Sequence, residues 1–207
     1  MRFLLASASP RRRELLRNAG FDFDVQPSHI VEEIQPGEPP EEFARRAARE
    51  KAMQVGASCP AGSFVLGADT VVVIDGETLG KPSGRQDATR MLRLLSGRTH
   101  QVHTGICLVR APGEIEALKH ETTFVTFREL DEEEIRSYVE SGEPLDKAGA
   151  YAVQGLASRF VTRVSGCYFN VVGLPVALVY EILKPFLEAE SRRQKAEGRS
   201  VKPEVSG

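Results

Sequence analysis

Two hydrophobic periods alternate along this chain, and the places where one gives way to the other divide it into strands and helices. Residues 2–6 read as a short apolar strand and 10–19 as a helix, with Leu15, Leu16 and Ala19 on one face and Gly20 as its stop. Phe21, Phe23 and Val25 alternate as a second strand, followed by a Pro- and Glu-rich loop over 28–39. From Pro40 to Val55 the period returns to 3.6, placing Phe43, Ala47, Ala48 and Ala52 inward before Gly56. The strongest apolar strand covers 63–74 and closes on an Asp75-Gly76 turn, a hairpin signal. A helix over 85–95 follows, with Ala88, Met91, Leu92 and Leu95 on one stripe.

The second half has longer strands. Residues 100–110 and 114–128 form a pair around Pro112-Gly113, and Asp131 with Glu134 predicts a capping box for a helix ending at Gly142. A glycine-dotted loop covers 143–156, and 158–165 and 167–172 read as two further strands. Gly173-Leu174-Pro175 opens a last helix that Pro185 should end or kink. Strands alternating with helices and then running in long hairpins predict an α/β fold with a mixed sheet. No internal repeat is visible.

Composition narrows the class of function. The chain has 207 residues with 41% apolar content, enough for one domain over 1–187, while the polar stretch 188–207 reads as a frayed helical or disordered tail. A net charge of −2 gives no general field toward nucleic acid or membrane, so any anion site must be local. No apolar run is long enough to span a bilayer, and no signal peptide opens the chain. Cys59, Cys107 and Cys167 are odd in number and widely spaced, which reads as reduced thiols of a cytoplasmic protein rather than a disulfide or zinc framework.

The local anion site suggested by the sequence is residues 4–13, Leu-Leu-Ala-Ser-Ala-Ser-Pro-Arg-Arg-Arg. Ser9 is placed as an N-cap with Pro10 at the first helical position, yet arginines fill a turn where the helix dipole favours negative charge. A phosphate ligand resolves the conflict through Ser7, Ser9, Arg11, Arg12 and free helix N–H groups. A plain helix start with solvated arginines is the alternative.

Asp69 stands inside an otherwise apolar strand, where a carboxylate needs a backbone, ionic or metal partner, or else closes a bulge. Gly67 and Ala68 beside it leave room for a ligand to approach the backbone. Lys81, framed by Gly80 and Pro82, and Lys51, on the border of its helix's apolar face, are candidate cationic clamps; a surface turn and a snorkelling side chain are the alternatives. Glu32 and Glu33 offer oxygen ligands to Mg²⁺ together with Asp69, or form a solvated acidic loop. Gln154, with both donor and acceptor, suits the reading of a base edge; a plain loop is the alternative. His29, His100, His103 and His120 show neither metal spacing nor a serine triad, and neither a P-loop nor a G-x-G-x-x-G is present.

Together the blocks L-A-S-A-S-P-R-R, E-K-A, L-G-A-D-T-V-V, L-G-K-P, M-L-x-L-L-S-G-R-T-H-x-V-x-T-G, D-K-A-G-A-Y-A-V-Q-G and N-V-V-G-L-P resemble the Maf family of nucleoside triphosphate pyrophosphatases, from Leu4 to about Phe186. The resemblance implies an elongated mixed sheet flanked by helices, two lobes around a cleft as in inosine triphosphate pyrophosphatases, and hydrolysis to monophosphate and pyrophosphate with a divalent cation, Mg²⁺ or Mn²⁺. It makes Asp69 the base that activates water. It also makes Arg11, Thr70 and Gln154 the positions that separate substrate types; here they resemble the dTTP/UTP type, whereas the 7-methyl-GTP type tends to carry a bulky aromatic, Gln and Glu. The rival reading is a non-catalytic nucleotide-binding regulator of cell division. The expected partner is a nucleoside triphosphate, with no stable nucleic-acid or membrane partner; a homodimer is left open.

Overall fold

In the computed structural model, which describes residues 2–200, seven strands form one mixed sheet flanked by helices. The elements are β1 (Phe3–Leu5), α1 (Pro10–Asn18), β2 (Phe23–Val25), α2 (Pro40–Gly56), β3 (Phe64–Ile74), β4 (Glu77–Leu79), α3 (Arg85–Leu95), β5 (Thr99–Arg110), β6 (Glu114–Phe127), α4 (Glu132–Glu140), β7 (Val161–Ser165), α5 (Tyr168–Val172) and α6 (Val176–Ser200). The main path through the sheet is β2-β1-β3-β5-β6-β7, with β4 also paired to β3. β1 runs parallel to β2 and β3, and every other pairing is antiparallel. Among the described residues no helix is long and apolar enough to cross a membrane.

Strand alternation sends β3 side chains to two different layers. Leu66, Ala68, Val72 and Ile74 join the main core with residues of α1, α3, α4 and α6. Val65, Val71 and Val73 face α2 on the other side. The α2 layer is thin because half of its buried residues are alanines: Ala44, Ala47, Ala48 and Ala52. Glycines on the sheet complete the fit. A Cβ on Gly67 would stand 2.1 Å from the Ala48 carbonyl oxygen, and one on Gly105 2.1 Å from that of Ala44. The room at Gly67 is therefore taken by the backbone of α2, not by a ligand.

Along the edge of β3 opposite β5, pairing is interrupted. β1 pairs at Val65 and Leu66, β4 pairs from Val72 to Ile74, and residues 67–71 between them have no strand neighbour on that side. The cleft opens at this gap.

Three expectations are corrected. Residues 167–172 are not a strand: after Cys167 they form the helix α5, because Asn170 is drawn inward to donate to the Val102 carbonyl at 2.9 Å and to Thr123 Oγ1 at 3.0 Å. Tertiary bonds override the β preference of Tyr168, Phe169, Val171 and Val172. Of the two outcomes expected at Pro185, an end or a kink, the end does not occur: the last helix runs through it to Ser200. Glu181, whose carbonyl loses its amide partner, and Pro185 are both exposed, so water can serve that oxygen. The tail is thus helical from 188 to 200, and residues 201–207 lie outside the described residues. The expected 143–156 loop contains 3-10 turns at Glu143–Asp146 and Ala148–Ala150, and a third, Leu156–Phe160, precedes β7.

Candidate active site

Asp69 pairs with Gly105 of β5, lies where β3 has no strand on its other side, and is 4% exposed. Its side chain points toward α2, where the alanine–glycine contact brings Lys51 within reach. Lys51 Nζ donates to Asp69 Oδ1 at 2.6 Å and pairs with Glu32 Oε1 at 2.7 Å, while the lysine itself is only 6% exposed. The snorkelling alternative fails for Lys51: its ammonium is buried between two carboxylates. Burial pushes the Asp69 carboxyl above its ordinary range against the pull of Lys51, and the Glu32 charge adds to the rise. For Glu32 burial acts upward too, but the Lys51 charge and hydrogen bond, with Lys81 and Arg12 behind them, hold it below the usual range.

Thr70 points to the opposite layer, where Arg12 meets it. The start of α1 is built as expected: Ser9 is the N-cap, its Oγ accepting from the Arg12 amide at 3.4 Å, with Pro10 opening the helix. Arg12 then turns inward and is 8% exposed. Its Nε donates to Gly173 O at 2.8 Å, Nη1 to Ser7 Oγ at 3.1 Å and Ala68 O at 2.9 Å, and Nη2 to Thr70 Oγ1 at 3.1 Å. Thr70 Oγ1 is also 2.9 Å from Thr104 Oγ1 and 3.3 Å from Gly173 O. Thr104 continues to Asn170 O at 3.3 Å. This polar layer beneath the cleft holds Thr104 and Asn170, two residues given no role on sequence grounds; the Asn in N-V-V-G-L-P was the available signal.

The cleft encloses about 660 Å³ and is lined by Ser7, Ser9, Arg11, Arg12, Glu32, Lys51, Asp69, Thr70, Lys81 and Gln154. Every site residue expected from the sequence except Glu33 therefore borders one space. Glu33 is exposed and outside this lining; its carbonyl accepts from Arg46 Nη2 at 2.8 Å, while Arg46 also clamps Glu38 at 2.6 Å. That clamp fixes the 28–39 loop with Glu32, not Glu33, turned to the cleft. Arg11 and Lys81 keep their charge available: Arg11 meets Asp146 only at 4.0 Å, and Lys81 is exposed with no ion pair among the described residues. Arg11 and Gln154 also border a smaller adjoining cavity of about 270 Å³ beside Phe169.

The segment carrying Gln154 is held from behind. Gly149 adopts φ +66 and its amide donates to Gly80 O at 3.1 Å, joining this segment to the Lys81 turn. Tyr151 OH lies 2.9 Å from His100 Nε2, and burial lowers the His100 pKa to about 4. Glu143 accepts from Tyr138 OH at 2.9 Å and from the Leu156 amide at 3.1 Å. The cysteines are free, and burial pushes the Cys107 thiol up to about 12, which leaves it protonated and inert.

Among the described residues no group of three or more His, Cys, Asp or Glu side chains is placed to hold a metal. Asp69 and Glu32 do converge, both within hydrogen-bond distance of the Lys51 nitrogen. By donor type, two carboxylates completed by water and substrate oxygens suit Mg²⁺, and here both meet on the Lys51 ammonium.

Residues 2–186 match a family described as Maf-like protein. A dTTP/UTP pyrophosphatase of Koribacter versatilis is 52% identical over 184 residues, 89% of this chain and 94% of its own length. One of the same name from Symbiobacterium thermophilum is 50% identical over 183 residues, 88% of this chain and 93% of its own. A nucleoside-triphosphatase / dITP/XTP pyrophosphatase structure from Mycobacterium abscessus overlays 61% of this chain and 73% of its own at 17% identity, with a TM-score of 0.38. The family match takes in the Ser9-capped helix, the open edge of β3 and the Gln154 segment alike, and the chain belongs to the Maf family.

Proposed function

We propose that this protein hydrolyses dTTP and UTP to the nucleoside monophosphate and pyrophosphate. The observation that carries the reading is Asp69, a buried carboxylate braced by Lys51 in the lining of a cleft that also presents Ser9, Arg11 and Lys81. The relatives' shared name supports the substrate class.

The chemistry follows from the site's charges. A triphosphate brings several negative charges, and Arg11, Lys81 and the N–H groups opening α1 supply fixed positive potential for them. Lys51 occupies Oδ1 of Asp69, and among the described residues Oδ2 has no hydrogen bond from the protein, so that oxygen is available to a water molecule. Asp69 orients this water and takes its proton as the water oxygen bonds to the α-phosphorus. The bond from the α-phosphorus to the bridging oxygen breaks, and pyrophosphate leaves with the electron pair. Burial that raises the Asp69 pKa makes it a better base than an exposed aspartate. Asp69 and Glu32 would hold a divalent cation, Mg²⁺ or Mn²⁺, which when bound neutralises phosphate charge. Gln154 and Arg11, both in the lining of the cleft, are the residues we assign to reading a pyrimidine edge.

The test is a panel of dTTP, UTP and 7-methyl-GTP with Mg²⁺ and resolved products. Monophosphate and pyrophosphate from dTTP and UTP are expected. Orthophosphate with a diphosphate, or a preference for 7-methyl-GTP, would refute the assignment.

A further inference from the structure

Arg12 has the sequence position of a phosphate ligand and the hydrogen bonds of a structural strut. A guanidinium has five N–H donors. Four of them are used inside the protein, on Gly173 O, Ser7 Oγ, Ala68 O and Thr70 Oγ1. These acceptors come from three separate parts of the chain: the β1–α1 turn, β3, and the glycine between α5 and α6.

The two β3 acceptors flank Asp69 on both sides in sequence. They also lie where β3 lacks a neighbour. The Leu66 carbonyl still accepts from the Ala6 amide at 2.8 Å, as β1 ends. The next carbonyl on that edge, Ala68 O, receives no strand amide; it takes Arg12 Nη1 at 2.9 Å, with Lys51 Nζ at 3.5 Å from the other layer. A buried carbonyl left without a donor is costly, so the open edge that admits substrate requires such a substitute.

We propose that Arg12 is a positioning residue rather than a phosphate ligand: its guanidinium replaces the missing strand on the open edge of β3 and fixes Asp69 and Thr70 relative to the α1 start and Gly173. The proposal rests on the pyrophosphatase reading only in its kinetic consequence. It leaves phosphate recognition to Arg11, Lys81 and the N-terminus of α1, and it places Thr70, which also borders the cleft, in a half-buried network with Arg12, Thr104 and Gly173. Lysine is a poor substitute, because one ammonium lacks the planar fork whose three nitrogens meet these four acceptors.

The experiment uses full-length ¹⁵N-labelled protein and inorganic tripolyphosphate as the anion probe. The Arg12 Nε–H resonance, identified by its disappearance in Arg12→Lys, should exchange with solvent at least about tenfold more slowly than the exposed arginines and keep that protection at saturating tripolyphosphate, as a buried hydrogen-bonded donor does. In the kinetic arm, Arg12→Lys and Arg12→Ala should both lower kcat on dTTP by about a hundredfold, the scale of a displaced catalytic group, and change the tripolyphosphate Kd by less than about threefold. Free exchange of the Arg12 Nε–H would overturn the proposal. So would a Kd weakened about tenfold or more in Arg12→Ala and restored in Arg12→Lys, the pattern of a charge that binds phosphate. Should a variant not fold, through-bond assignment of the Arg12 Nε–H in ¹³C,¹⁵N-labelled wild-type protein lets the wild-type exchange measurement decide alone. A wild-type protein that leaves dTTP intact would refute the pyrophosphatase reading and leave the exchange result standing.

Discussion

Lys51 Nζ lies 2.6 Å from Asp69 Oδ1, with both side chains buried, and the same nitrogen holds Glu32 at 2.7 Å. This pairing joins α2, β3 and the 28–39 loop at one point. It explains how a carboxylate is kept in an apolar strand, since an unpaired one would be expelled or neutralised. Asp69→Asn keeps the shape and an oxygen to accept from Lys51 but removes the base. Hydrolysis of dTTP should fall at least about a hundredfold with the circular dichroism spectrum unchanged. An unaltered rate would remove Asp69 from the chemistry.

The pairing depends on how closely α2 approaches the sheet. A methyl at Gly67 would stand 2.1 Å from Ala48 O and 2.9 Å from the Ala52 amide nitrogen, both backbone atoms of the helix that carries Lys51. Gly67→Ala must push α2 outward. Urea unfolding should show a loss of about 1–3 kcal/mol, the usual cost of overpacking, and kcat should drop with it. A variant as stable and as active as wild type would show that the helix has slack.

Gln154 offers a donor and an acceptor to a pyrimidine's N3–H and carbonyl edge; glutamate offers acceptors only and adds a negative charge. Gln154→Glu should lower kcat/KM for dTTP and UTP by about ten- to a hundredfold, within the range of about 1–3 kcal/mol for a paired base contact. Equal kcat/KM in the two proteins would place the base elsewhere.

His100, 1% exposed behind Tyr151, supplies a pH dependence of stability. Burial lowers its pKa from 6.5 to about 4. Between those values the unfolded chain binds a proton that the folded chain refuses, so stability declines as pH falls from 6.5 toward 4. The full contribution is about 3 kcal/mol. Urea unfolding at pH 7 and 4.5 should show His100→Gln losing less stability on acidification than wild type. An identical loss would mean that His100 already titrates normally in the folded state.

Much of this site could be read from the sequence because its chemistry interrupts regular patterns. Asp69 breaks an apolar strand, arginines occupy the wrong end of a helix, and Gly80 and Pro82 frame Lys81. The α3 boundaries, Arg85–Leu95, match expectation because one amphipathic stripe fixes both ends. What sequence could not convey is direction. Arg11 and Arg12 are neighbours of the same type, yet only Arg12 turns beneath the β3 edge, a choice made by Gly173, 161 residues away. Glu32 and Glu33 are likewise equivalent until Arg46 clamps the loop. The 167–172 segment looks like a strand by side-chain type and becomes α5 through the two bonds of Asn170.

In the proposed mechanism, water held by Asp69 attacks the α-phosphorus. Turnover of dTTP in ¹⁸O-labelled water, with mass analysis of both products, tests it directly. The label should appear in dTMP, with the pyrophosphate unlabelled. Label in the pyrophosphate, or the appearance of dTDP and orthophosphate, would contradict the mechanism.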